Sequence, residues 1–182
     1  MIHWVFGVVV WGSLPFEYDP FPIFLRLVQC LHNGAWLVID LDVHQGNGTA
    51  AIFEGDESVF TFSMHGERNY PARKMRSSLD VGLPDGIDDA RYLDELEQHL
   101  PLLTRGFRPE VIFYLAGVDV AAGDRYGRFA LSDAGIRARD RRVIEFADQL
   151  GLPLVITLAG GYATDALRTA LLHSIVFEEA IR

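Results

Sequence analysis

Asp40, Asp42 and His44 stand at alternate positions in Asp40-Leu41-Asp42-Val43-His44, which runs into the Gly-rich turn Gln45-Gly46-Asn47-Gly48-Thr49. The apolar run Trp36-Leu37-Val38-Ile39 before them reads as a buried strand. Side chains alternate faces on a strand, so the two carboxylates and the imidazole are expected to point the same way. Converging carboxylates repel, and a cation relieves that repulsion. Oxygen and nitrogen donors of this kind suit zinc or another divalent metal that accepts imidazole. The alternative is that Asp42 and His44 cap the next helix, a common use of Asp near a turn.

Two further junctions of the same kind follow. Phe113-Tyr114-Leu115-Ala116-Gly117-Val118-Asp119 is an apolar run that ends in glycine and then an acid. Leu154-Val155-Ile156-Thr157-Leu158-Ala159-Gly160-Gly161-Tyr162 ends in paired glycines and an aromatic hydroxyl. Polar groups at the carboxyl ends of parallel strands gather into one site in open α/β sheets. Asp42, His44 and Asp119 would supply three protein ligands and leave a position for water or substrate, the pattern of a catalytic metal site.

With these segments in view, the chain resembles the zinc-dependent histone deacetylase superfamily, which includes the acetylpolyamine amidohydrolases. Its wording, with Phe62-Ser63-Met64-His65-Gly66-Glu67 after the first motif, most resembles the bacterial and class IV-like members. The resemblance runs from about Leu37 to the C-terminus. It implies an α/β fold of three layers, arginase/deacetylase-like, with a mostly parallel sheet and helices on both faces. It implies that Asp42, His44 and Asp119 hold Zn2+ (or Fe2+, which the same donors accept). It assigns Tyr162 the catalytic task of stabilising the oxyanion while metal-activated water hydrolyses the amide of acetyl-lysine or an acetylated polyamine. It also implies a structural K+ or Na+ ion held by Asp40, Asp42, Ser63 and the main-chain oxygens of His44 and Met64. Tyr70, Gly160 and Gly161 would meet the substrate, and Asp124 and Arg125 would shape the loop after Asp119.

One departure is large. The superfamily carries two adjacent histidines upstream of the first motif as general base and acid, and no His-His occurs in this sequence. His3 and His32 are the upstream histidines, in unrelated contexts. Asp40 and Asn47 occupy the positions that would orient the missing pair. The expectation is therefore a single deacetylase-like domain over 1–182, atypical over 1–35 and family-like over 36–182, truncated at its N-terminus. Positioned acid–base groups typically contribute about 10²- to 10⁴-fold, so hydrolysis is expected to be weak or lost. The alternative function is then a metal-binding fragment that serves as an interaction module.

The elements that must position these residues alternate strand and helix, which implies a parallel sheet covered on both faces. Val59 to Met64 reads as a strand and Leu79 to Leu83 as a short extended piece. Tyr92, Leu93, Leu96, Leu100 and Leu103 repeat at helical spacing after Asp88-Asp89, with Pro101 bringing a kink or an early end. Ser132 is a good N-cap for a helix whose buried stripe is Ile136, Val143, Ile144, Ala147 and Leu150, closing at Gly151. A last helix follows Asp165 with Leu167, Ala170, Leu171 and Ile175 inward. The charged run from Arg137 to Arg142 reads as a solvated face. His65 reads as a structural hydrogen-bonding residue, and His99 and His173 as ordinary helix residues.

At 182 residues the chain can bury a sizeable core without disulfides. The lone Cys30 suits a reducing cytoplasm and a buried thiol. A net charge of -9 disfavours binding nucleic acid through its phosphates and is compatible with a cationic substrate. The uncharged stretch Met1 to Phe16 is too short and too interrupted for a membrane helix and lacks a secretory signal's positive start. It reads as a buried strand, followed by a short helix near Ile23 to Leu31. A missing N-terminal portion could leave an apolar face for another chain, so an oligomer is compatible. A nucleotide-binding reading fails, because no Gly-x-Gly-x-x-Gly and no phosphate-holding Lys after a Gly-rich loop is present.

Overall fold

The apolar run after Ala35 forms strand β1 (Trp36–Asp40) at the centre of a sheet, in a computed structural model that describes residues 34–182. The strand and helix expected before residue 34, with His3, Cys30 and His32, lie outside the described residues. After β1 come the short helix α1 (Asn47–Ile52), β2 (Val59–Gly66) and β3 (Leu79–Leu83). Helix α2 (Asp89–His99) leads into a 3₁₀ turn at Leu100–Leu102, then β4 (Val111–Ala116), α3 (Asp133–Leu150), β5 (Leu154–Leu158) and α4 (Ala166–Ala180). Pro101 sits in the 3₁₀ turn, so it ends the α-helical pattern without breaking the apolar stripe.

All pairings are parallel and the strand order is β3-β2-β1-β4-β5. The chain steps outward from β1 to β3, then returns to lay β4 against the other edge of β1. The strand order therefore reverses between β1 and β4, and ligands bind beyond the carboxyl ends of strands at such a switch point.

Alternation along the strands feeds two apolar layers. Leu37, Ile39, Phe62, Ile112, Tyr114 and Ile156 face the layer that α2, α3 and α4 cover. Trp36, Val38, Val59 and Phe113 face the other layer, where Ile52 and Phe53 at the end of α1 pack. Trp36 and Phe113 are cross-strand neighbours there, with ring centroids 5.0 Å apart.

Caps fix where the helices start. Asp88 accepts a hydrogen bond from Arg91 N, Ser132 from Gly135 N and Asp165 from Leu167 N. Helix α3 ends at Gly151, whose φ of 67° is left-handed and suits glycine.

Three sequence expectations are corrected. Leu167 and Leu171 are 64% and 54% exposed, and Ala170 is exposed as well. Ile175 is inward as expected, and the rest of the inward face of α4 is Leu172, Val176 and Ala180; the apolar residues of this helix spread around most of its circumference, so spacing alone misplaced the other three. Leu150 is exposed because α3 has already reached its C-terminus. The run from Arg137 to Arg142 is not wholly solvated: Arg139 and Asp140 are buried. Among the described residues no helix is long and apolar enough to cross a membrane.

Candidate metal centre

Strand β1 stops at Asp40, and Asp42, Val43 and His44 lie in consecutive bends. The expectation that strand alternation aims Asp40, Asp42 and His44 together is therefore corrected: a turn brings Asp42 and His44 together. Asp40 helps make that turn, since its Oδ1 accepts the Asp42 amide at 3.1 Å. Asp42 Oδ1 in turn accepts the His44 amide at 2.9 Å and lies 3.1 Å from His44 Nδ1. Such side-chain-to-backbone bonds two residues on are the habit of Asp in turns.

Asp119 enters from the loop after β4. Its Oδ1 accepts the Val43 amide at 2.9 Å and its Oδ2 lies 3.1 Å from His44 Nδ1. From the loop after β5, Gly160 N donates to Asp42 Oδ2 at 2.6 Å. One donor atom from each of Asp42, His44 and Asp119 lies within 4.8 Å of the others. Asp119 is fully buried and His44 half-buried, so the cluster opens on the imidazole side.

The glycines around the cluster are there for room. A Cβ on Gly117 would stand 2.5 Å from Asp42 Oδ2, and one on Gly127 would stand 1.7 Å from the Asp119 carbonyl oxygen. A Cβ on Gly46 would stand 2.2 Å from Asp40 Oδ2.

The electrostatics call for a cation. Burial raises the Asp119 carboxyl and the neighbouring Asp42 charge raises it further, to about 7. Burial would also raise Asp42, but its bonds and attraction to His44 outweigh this and hold it low. Burial alone would lower His44, yet hydrogen bonds to Asp119 and Asp42 and the attraction of both carboxylates push it up to about 10. A proton on the imidazole thus offsets the two acids when no metal does. Two carboxylates and one imidazole nitrogen form a donor set that fits zinc or iron(II).

Tyrosines frame the approach to His44. The Tyr162 ring centroid is 6.2 Å from that of His44, and the Tyr70 centroid is 6.3 Å away on an edge-on ring that is 59% exposed. Tyr126, which sequence reasoning did not single out, packs edge-on against Tyr162 at 5.0 Å. The Tyr162 backbone is held at both ends: its amide donates to Asp124 Oδ2 at 2.7 Å, and its carbonyl accepts from Arg125 Nε at 2.9 Å. Asp124 Oδ1 also accepts the amides of Tyr126 and Gly127, so one carboxylate closes the loop and fastens the tyrosine.

The other sequence candidates fall nearby. Ser63 lies beside Asp40 in the β1–β2 register, and its Oγ is 3.1 Å from His65 Nδ1. Met64 is fully buried, and Asn47 is the first residue of α1. His99 binds back to the Glu95 carbonyl oxygen within α2. Gly161 is packed under the tyrosine loop, where a Cβ would stand 2.6 Å from Val118 Cγ2 and 3.1 Å from His173 Nε2.

Sequence reasoning missed the part played by Arg139. Its guanidinium bonds the carbonyl oxygens of Gly117 and Leu41, one in each ligand-bearing loop. A signal was present, because Arg139 and Asp140 fall at helical spacing between Ile136 and Val143 on the buried stripe.

A parallel sheet with an Asp-His-Asp cluster at its switch point defines an arginase/deacetylase-like α/β protein. Residues 27–176 match the model of the histone deacetylase domain. An uncharacterised protein of Picosynechococcus sp. is 46% identical over 144 residues, 79% of this chain and 48% of that protein. Histone deacetylase 2 of Arabidopsis thaliana is 36% identical over 135 residues, 72% of this chain and 35% of that protein. Among solved structures, an HDAC homolog from Aquifex aeolicus superposes with a TM-score of 0.74 at 23% identity, covering 88% of this chain and 45% of that one. An acetylpolyamine aminohydrolase from Burkholderia pseudomallei gives 0.68 at 25% identity, covering 87% and 48%. The chain belongs to the histone deacetylase family. It spans half or less of the length of these relatives.

Proposed function

We propose that this chain is a zinc-dependent deacetylase site acting on the amide of acetyl-lysine or an acetylated amine. The observation that carries the reading is the convergence of Asp42, His44 and Asp119 beside Tyr162. Asp42 and Asp119 supply carboxylate oxygens and His44 its Nδ1. A divalent ion held there would lower the pKa of water towards about 7 and polarise an amide carbonyl. The Tyr162 hydroxyl would donate a hydrogen bond to the oxyanion as negative charge develops on the carbonyl oxygen. Gly160 and Gly161, in the loop after β5, would meet the substrate beside the cluster, and Tyr70 would form a wall of the approach. Asp40, Asp42, Ser63 and the main-chain oxygens of His44 and Met64 would hold a K+ or Na+ ion. The acidic balance of the chain, net -9, is compatible with a cationic substrate such as a lysine-rich tail or a polyamine.

One sequence fact favours a second reading. The six histidines of the sequence include no adjacent pair, and without such a pair the amine leaving group would lack its expected proton donor. Under this reading the cluster binds metal without turnover and the domain serves as an interaction module.

Metal content measured together with turnover of a fluorogenic acetyl-lysine substrate, on wild type and Asp119→Ala, tests both. Stoichiometric zinc with turnover that vanishes in the variant supports the deacetylase. Zinc bound without turnover supports the second reading, and failure to bind any divalent ion overturns both.

A further inference from the structure

Arg139 lies midway along α3, and its side chain is completely buried. Stripping a guanidinium of water is expensive, and an apolar residue of like volume commonly serves packing better. Its hydrogen bonds indicate what it does there. Nε donates to Asp140 Oδ1 at 2.9 Å, and Nη2 lies 2.7 Å from the same oxygen. The hydroxyl of Tyr114, on β4, donates to that oxygen at 2.5 Å and braces the carboxylate from the sheet side. The fork is thereby oriented, and its Nη1 reaches the main chain just past the carboxyl ends of β1 and β4. Nη1 donates to the Gly117 carbonyl oxygen at 2.5 Å and reaches the Leu41 carbonyl oxygen at 3.4 Å.

Those two carbonyls occupy special places. Leu41 immediately precedes Asp42, and Gly117 stands two residues before Asp119. The β1–β4 pairing extends as far as Leu41 N, which donates to the Leu115 carbonyl oxygen. Beyond it the two chains turn toward the cluster, and one guanidinium group holds both. Gly117 is also in close contact with Asp42, so a shift of either loop is transmitted to a ligand.

We propose that Arg139 is a positioning residue for the metal centre, setting the separation of the Asp42–His44 and Asp119 loops through the carbonyls of Leu41 and Gly117. The proposal rests on the reading that Asp42, His44 and Asp119 hold a divalent ion. A lysine at this position keeps the charge but has no planar fork to satisfy Asp140 and the two carbonyls together. Outer partners that orient metal ligands typically contribute about 10- to 100-fold in metal affinity.

The test uses the full 182-residue chain, stripped with chelator and titrated with Co2+ while its visible absorption bands are followed. Wild type, Arg139→Lys and Arg139→Met are compared, with circular dichroism and metal-free melting on each. The expected result is Co2+ binding weaker by about 10- to 100-fold, with altered band positions, in variants that still fold. A purely structural arginine would lower the melting temperature and leave affinity and bands as in wild type, and that result overturns the proposal. Should neither Arg139 variant fold, Tyr114→Phe removes only the hydroxyl that braces Asp140. A smaller but measurable loss of affinity is then expected, and an unchanged titration overturns the proposal. Wild type that binds no Co2+ overturns the metal reading itself, and the proposal falls with it.

Discussion

Gly160 touches both acids of the cluster: its amide donates to Asp42 Oδ2 at 2.6 Å, and a Cβ on it would stand 2.0 Å from Asp119 Oδ2. The absence of a side chain is therefore what lets the β5 loop close over the two carboxylates. Gly160→Ala must push at least one of them out of line. The expected outcome is a folded protein whose zinc affinity falls by about 10- to 100-fold, read by competition with a chromogenic chelator. Affinity equal to wild type would mean the loop gives way freely.

Tyr162 approaches the His44 ring edge-on, with its backbone pinned by Asp124 and Arg125. A hydroxyl that serves the oxyanion contributes to turnover and leaves the ligand set untouched. Tyr162→Phe is expected to lower kcat by roughly 10²- to 10³-fold with zinc affinity unchanged. Parallel kinetics and metal titration check this, and a variant as active as wild type removes Tyr162 from the reaction.

Asp124 offers a separable handle on the same tyrosine. Its carboxylate accepts the amides of Tyr126, Gly127 and Tyr162. Asp124→Ala frees the loop and lets the Tyr162 hydroxyl wander, which can cost up to about 100-fold in turnover. Zinc affinity should hold while kcat drops. Loss of zinc with kcat per bound metal preserved would show that the loop serves Asp119 instead.

Much of this architecture is legible in the residues. The apolar runs at Trp36, Val59, Phe113 and Leu154 each became a strand, because a buried parallel strand is apolar on both faces and short. The caps at Ser132 and Asp165 and the stop at Gly151 follow from local chemistry alone. Asp42, His44 and Asp119 are singled out by their places after apolar runs together with the family resemblance, and the fold brings one donor atom of each together. What sequence could not supply is orientation. The aim of Asp42 and His44 depends on a turn bonded by Asp40, and the inward arc of α4 depends on what packs there. Arg139 was hidden for a related reason. A charge within a run of charges reads as solvated until the partners that satisfy it, Asp140 and two carbonyls from loops far along the chain, are in place.

His173, on α4, lies behind the tyrosine loop, with Nδ1 buried and without a hydrogen-bond partner among the described residues. Burial lowers its pKa, the positive charge of Arg139 lowers it further, and the distant pull of Asp42 does not compensate, leaving it at about 4. In the unfolded chain it returns to about 6.5. Between these values the unfolded state binds the proton and the folded state does not, so stability is complete above about pH 6.5 and is lost as pH falls towards 4. His173→Gln removes that titration. In chelator-stripped protein, wild type should lose melting temperature more steeply than the variant across this window. The two curves should run parallel above it. Because other acids titrate in both proteins alike, the difference between the curves belongs to His173, and parallel curves throughout would show that its ring is already hydrated in the fold.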